Sequence, residues 1–215
     1  KAAYTNLNGL FQEDGEGYYY YDSDLNYAYL EKKGDQFSDT FTVLKDSGLG
    51  FFPFTDETHM NADSGARAVA PLGSSDVNHY FGMNISANFI QPRDGKIDNK
   101  EMVFEFSGDD DVWVFIDGVL VLDLGGIHAE VSGTINFADG TVTRWDINQQ
   151  LVSEEITIKS MFEKAGVSTE DFEGNTFADY TSHSIQFFYL ERGNSDSNCK
   201  IKFNLSTIPE ESVIV

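Results

Sequence analysis

The chain has a single cysteine, Cys199, among 215 residues, so an internal disulfide is excluded. Cations are also scarce. Fourteen Lys and Arg face 36 Asp and Glu, for a formal net charge of -22. A surface of that sign repels phosphate, which excludes nucleic acid as an expected partner and disfavours anionic membranes. No apolar run approaches the roughly 18 residues that cross a bilayer, so membrane insertion is not expected. Long 3.6-residue periodicities are rare. The chain starts at Lys1 without a methionine or leader. It therefore reads as a mature fragment or an excised module of a larger chain, with targeting information outside it. A disulfide-free extracellular protein fits a Gram-positive bacterium better than a eukaryotic secretory route.

Aromatic residues are plentiful, with 18 Phe and 10 Tyr. The apolar runs are built from Val, Ile, Tyr, Phe and Thr, residues that suit a pleated, half-buried surface. Gly, Asp, Asn and Ser punctuate them as turn formers. The pattern predicts an all-β, or mostly β, single domain over residues 1–208, with 209–215 as a tail or linker.

"GYYYYDS" (17–23) and "NYAYLE" (26–31) alternate as strands do and predict a hairpin turning at 22–24. The tyrosines there read as packed rings with wet hydroxyls, or as a sugar-stacking platform. "FFPF" (51–54) is not the interior of a central strand, because Pro53 has no N–H to give, and it predicts an anchor to the core. Residues 55–79 predict a long loop. Strands are expected at 79–90 and 101–108, joined by a turn. Asp-Gly in "IDG" (116–118) predicts a tight hairpin returning through 119–122. A short strand and turn follow at 133–143. A helix is expected in the second half of 148–166, with Met161 and Phe162 inward and Gly166 as its stop. "STED" (168–171) has capping-box spacing. Two closing strands are expected at 183–191 and 199–206, the second holding Cys199 as a buried thiol.

The chemistry concentrates in "GDDD" (108–111), placed between two core strands. Adjacent carboxylates repel one another, and two readings follow. One is a solvated turn, since Asp is a good turn residue. The other is a hard cation. Ca²⁺ takes six to eight oxygens from carboxylates, carbonyls and water. Neighbouring aspartates reach one ion only through unusual backbone, such as a cis peptide costing roughly 3 kcal/mol. Two carboxylates are half a site, and "ERGNSDSN" (191–198) is the oxygen-rich segment best suited to complete it. The spacing is not that of an EF-hand.

"GDDDVWVFIDGVLVLDLGGIH" (108–128) resembles the core of the PA14 superfamily, specifically its fibro-slime branch. "YLERGNSDSNCKI" (189–201), "FFPF" and "HYFGMNI" are similar to the same branch, and the resemblance covers most of residues 15–208. It implies a jelly-roll β-sandwich with long loops, one or two short helices and a calcium-dependent, lectin-like binding end. By that resemblance Asp109 and Asp110 hold Ca²⁺ through a cis peptide. Glu191 supplies the second-loop side chain, and carbonyls near Gly193 and Ser195 follow. Sugar hydroxyls complete the shell. Asp111, Asn194, Asp196, Trp145 and His128 are the residues expected to line the ligand side. Position 111 is Asp where the family usually has Gly. Glu191 stands where yeast flocculins carry Asn.

Asp123 reads as a turn cap and His128 as a structural histidine unless the hairpin folds back on the acidic turn. Trp113 reads as core. His59, His79 and His183 lack zinc spacing. Adjacent aspartates in one turn do not straddle a glycosidic bond, and no G-x-S-x-G motif is present, so no enzymatic activity is expected. The expectation is a glycan-binding adhesin module of a bacterial cell-surface protein. The alternative is a calcium-rigidified structural or tip domain with a protein partner.

Overall fold

The computed structural model describes residues 3–34, 36–45, 50–54, 80–109, 111–126, 129–152, 156–192 and 197–207. In chain order the strands are β1 (Gln12–Glu13), β2 (Tyr19–Asp22), β3 (Tyr27–Lys33), β4 (Gln36–Leu44), β5 (Phe81–Ile90), β6 (Lys96–Ile97), β7 (Lys100–Glu101), β8 (Val103–Gly108) and β9 (Asp111–Ile116). They continue as β10 (Val119–Leu124), β11 (Val131–Asn136), β12 (Thr141–Trp145) and β13 (Ile156–Thr157). After helix α1 (Ile158–Ala165) come β14 (Phe172–Glu173), β15 (Thr176–Phe177), β16 (Ser182–Glu191) and β17 (Cys199–Phe203). Among the described residues the protein is an all-β sandwich with one α-helix and a 3-10 turn at Arg93–Gly95.

One sheet has seven strands in the order β1-β2-β17-β8-β11-β12-β13, and the facing sheet has four, β10-β9-β16-β5. Pairing in both is antiparallel. Period-2 alternation sorts each strand onto two faces. In β8, Phe104 and Phe106 point inward, as do Phe187 and Tyr189 in β16, and their rings meet between the sheets at 5.6–6.4 Å. Leu122 and Leu124 of β10 press on Gly133 of β11, where an added Cβ would sit 2.8 Å from Leu122.

Capping sets the ends of α1. The Thr157 hydroxyl accepts from Ser160 N–H, the Ser160 hydroxyl accepts in return from Thr157 N–H, and Gly166 closes the helix at φ 71°. Phe162 and Ile158 are buried, while Met161 packs partly buried against the core. The expected capping box at 168–171 is a turn instead, in which Glu170 N–H donates to the Ser168 hydroxyl.

The tyrosine-rich hairpin is corrected. β2 pairs with β1 and β17, whereas β3 pairs with β4 in a separate two-stranded sheet. The turn after Asp22, held by Leu25 and Asn26 N–H groups on its carbonyl, redirects the chain between them. Tyr21 and Tyr27 are buried, with their hydroxyls donating to the Asn26 and Phe52 carbonyls. Strands β5 and β8 both form, but in opposite sheets, and so do β16 and β17. Phe51 and Phe52 are fully buried, and "FFPF" anchors as expected. Cys199 is buried, and burial pushes its thiol up, out of the reactive range. Trp113 is not core. It is half-buried on the outer face of the four-stranded sheet and lies against Gly125. Residues 55–79, the 209–215 tail, His59 and His79 lie outside the described residues. No helix among the described residues is long and apolar enough to cross a membrane.

Candidate functional site

Three connections pass from one sheet to the other at the same end of the sandwich. They run from β8 to β9, from β10 to β11 and from β16 to β17. The register brings them together. Gly108 faces Val131 on one side and Cys199 on the other, while Asp111 faces Leu190. The acidic segment is therefore an inter-sheet crossover, not an edge turn of one sheet. Asp109 N–H donates to the Asn198 carbonyl at 3.1 Å, joining the acidic crossover to the second oxygen-rich segment. Phe51 N–H donates to the Ser197 carbonyl at 2.8 Å, which ties "FFPF" to the same place. Gly108 permits the approach, since a Cβ there would lie 2.4 Å from the Asn198 carbonyl oxygen.

Asp109 and Asp111 differ in role. Asp109 is half-buried at the end of β8. Asp110 lies outside the described residues, and with it the Asp109–Asp110 peptide. Asp111 is 1% exposed. Its Oδ1 accepts from Arg192 Nη2 at 2.9 Å and from Gly126 N–H at 2.5 Å, and Arg192 Nε lies 2.5 Å from Oδ2 as an ion pair. Asp111, expected to face a ligand, instead clamps the crossover to the segment after β16 and to the end of β10. A buried carboxylate needs such partners, because desolvation without them is prohibitive.

Glu191 is also 1% exposed, one residue beyond the Leu190–Asp111 pair. The Tyr189 hydroxyl donates to its Oε2 at 3.1 Å and meets the Ser197 hydroxyl at 2.9 Å, and Ser197 donates to the Phe51 carbonyl. Burial pushes the Tyr189 phenol well above its ordinary range, and the nearby Cys199 and Glu191 act the same way. The phenol is thus a fixed proton donor beneath Glu191.

Gly193, Asn194, Ser195, Asp196 and His128 lie outside the described residues. Among the described residues no three His, Cys, Asp or Glu side chains gather as a metal cluster. Asp109 and Glu191 are hard oxygen donors of the kind Ca²⁺ takes. Trp145 is half-buried at this end, paired with Ser132 and bridged to Leu151. Asp123 caps a turn, accepting from Gly125 N–H at 3.0 Å. Arg192, Gly126 and Ser197 were not singled out from the sequence. The available signal was Arg192 itself, a lone cation in an oxygen-rich segment expected to meet three acids.

A second polar cluster sits at the far end of β16. His183 Nδ1 lies 2.6 Å from Asp117 Oδ2, and its Nε2 lies 2.7 Å from the Thr181 hydroxyl, which donates to the Ala178 carbonyl. Ser184 N–H donates to Asp117 Oδ1 at 2.7 Å. Burial pushes the Asp117 carboxyl up, but the bonds from His183 and Ser184 outweigh it and hold it below its ordinary value. The cluster pins the β9–β10 hairpin turn to β16.

Fold and loops together define an all-β sandwich with Asp109, Asp111 and Glu191 at the inter-sheet crossovers of one end. The chain is similar to the protein psiF of Dictyostelium discoideum, at 31% identity over 163 residues, covering 74% of this chain and 19% of psiF. It is 27% identical to psiP of the same organism over 214 residues, covering 96% of this chain and 21% of psiP. A shorter match to psiR reaches 65% identity over 34 residues, covering 16% of this chain and 3% of psiR. The chain thus spans about a fifth of the length of psiF and psiP. No protein-family model matches it, and no solved structure matches it.

Proposed function

We propose that the chain is a calcium-dependent carbohydrate-binding module of a cell-surface or secreted protein, of the PA14 fibro-slime type. The observation that carries this reading is the meeting of the acidic crossover with the segment after β16, through Asp109 N–H and the Asn198 carbonyl. Asp109 and Asp110 would hold the ion, Glu191 would add a carboxylate, and carbonyls near Gly193 and Ser195 would complete the protein's share. Arg192 neutralises Asp111, so the third acid adds no uncompensated charge at the site. Bound there, calcium would supply a point of attachment for two adjacent sugar hydroxyls. The cell-surface setting does not alter this chemistry, whether bacterial as the disulfide-free composition suggests or amoebal as the relatives' organism suggests.

One observation favours the alternative, a calcium-rigidified domain with a protein partner. The outer face of the four-stranded sheet carries Trp113, Phe115 and Phe188 half-buried, with Leu190 beside them at 38% exposure. An apolar stripe of that kind suits a protein surface.

The test is calorimetric titration of calcium into chelator-treated protein, beside Asp109→Ala and Asp110→Ala. Micromolar binding that both variants lose is expected, followed by glycan-array binding that EDTA abolishes. No heat and no change in melting would reduce the crossover to a solvated turn. Calcium binding without any glycan would leave the structural alternative.

A further inference from the structure

The outer face of the seven-stranded sheet carries a groove of about 420 Å³, within the range of ligand sites. Its floor follows from the register. Tyr20, Lys202, Glu105 and Thr134 form one row across β2, β17, β8 and β11, and Asp22, Lys200, Ser107 and Ser132 form the next. The residues between them, Tyr21, Ile201 and Phe106, point into the core. Four strands spaced about 4.8 Å apart give a floor about 14 Å wide, enough for more than one sugar ring.

The charges on this face select among ligands. Lys200 is held by Asp24 at 2.7 Å and Glu130 at 3.1 Å, and Lys202 lies 4.2 Å over the Tyr18 ring and 3.9 Å from Asp14. Both ammonium groups are already compensated, so the groove offers little to a polyanion. The Glu105 carboxylate differs. It is half-buried at the centre of the floor and makes no hydrogen bond or ion pair among the described residues, and neither does the Thr134 hydroxyl beside it. A carboxylate only accepts, and its two oxygens match two neighbouring hydroxyl donors. The Tyr20 ring, half-buried in the same row, supplies an apolar face. An acceptor pair, hydroxyl groups and a ring together fit a neutral polyhydroxylated chain. They do not fit an apolar protein surface, since the outward positions of both rows are polar.

We propose that this groove is a metal-independent saccharide site, taking a neutral polysaccharide whose vicinal hydroxyls are received by Glu105 while a sugar face rests on Tyr20. The site is separate from the calcium reading of the crossover end and stands if that reading fails.

The test is affinity electrophoresis in gels cast with hydroxyethylcellulose, galactomannan, laminarin or polygalacturonate, each run with EDTA and with calcium. Retardation is expected in at least one of the three neutral gels, undiminished by EDTA. It should weaken about tenfold or more in Glu105→Gln and in Tyr20→Ala, through loss of a charge-assisted pair or of the ring contact. Unchanged melting would show that both variants fold. No retardation in any neutral gel overturns the proposal, as does retardation by polygalacturonate alone or equal retardation of Glu105→Gln. Retardation that EDTA and Asp109→Ala abolish but Glu105→Gln leaves intact belongs to the crossover end and also overturns it.

Discussion

At Asp111 the third carboxylate of the acidic run leaves solvent and meets Arg192, so Asp109 and Asp111, two positions apart, have unlike fates. Strand alternation puts Asp111 on the outer face of β9 with Trp113, and its burial comes from Arg192 and Gly126 closing over it. Removing Arg192 strands a buried charge. Arg192→Ala is expected to cost about 1–3 kcal/mol, less than a wholly buried pair would because the guanidinium is partly exposed. Asp111→Asn with Arg192→Gln should cost less than the two single variants summed, because neither charge is then left alone. Urea unfolding of wild type and the four variants measures both quantities, and additive losses would mean that the two side chains do not interact. The burial of Asp111 was not legible in "DDD", where nothing local distinguishes one aspartate from the next. What was legible was that acids at the mouth of a buried strand need a partner. Arg192 provides one for Asp111.

Among the elements, legibility followed local chemistry. "IDG" announced its hairpin because a tight turn needs positive φ, and Asp117 and Gly118 take 48° and 79°. Gly166 announced the end of α1 for the same reason. Partner choice was not legible. Alternation in β2 and β3 fixes which side chains face inward but not which strand lies alongside, and both pair elsewhere. Trp113 was misplaced because a tryptophan among valines invites burial, yet Val112 and Val114 take the inner face and leave it the outer one. The pairing of Asp117 with His183 gives a pH test. Its carboxyl is held below its ordinary value, so its contribution is present above the unfolded-state value and lost as pH falls through the folded one. The melting gap between wild type and Asp117→Asn should be widest above about pH 5 and shrink below about pH 3.5. A gap constant across that range would mean that the carboxylate charge contributes nothing.

For the whole molecule, the charge of -22 sets the response to salt. Self-repulsion opposes the compact state and is screened as the Debye length shrinks from roughly 30 Å at 0.01 M to 3 Å at 1 M. Melting should therefore rise by a few degrees, about 1 kcal/mol for a chain of this size, between dilute buffer and 0.5 M NaCl. Calcium at matched ionic strength should raise it further, because a specific ion adds binding free energy to screening. Equal melting in the two salts would leave screening as the whole effect.

The position of β17 has a consequence in time. It lies between β2 and β8, pairing with residues about a hundred positions earlier and more, so the seven-stranded sheet is two separate pieces until this strand arrives. Contacts of that sequence separation make folding slow. On a ribosome working from the amino terminus, Tyr20 and Glu105 emerge long before Lys202 can join them, and Asp109 waits for Asn198. Both proposed surfaces come into being only when the carboxy-terminal strand slides home.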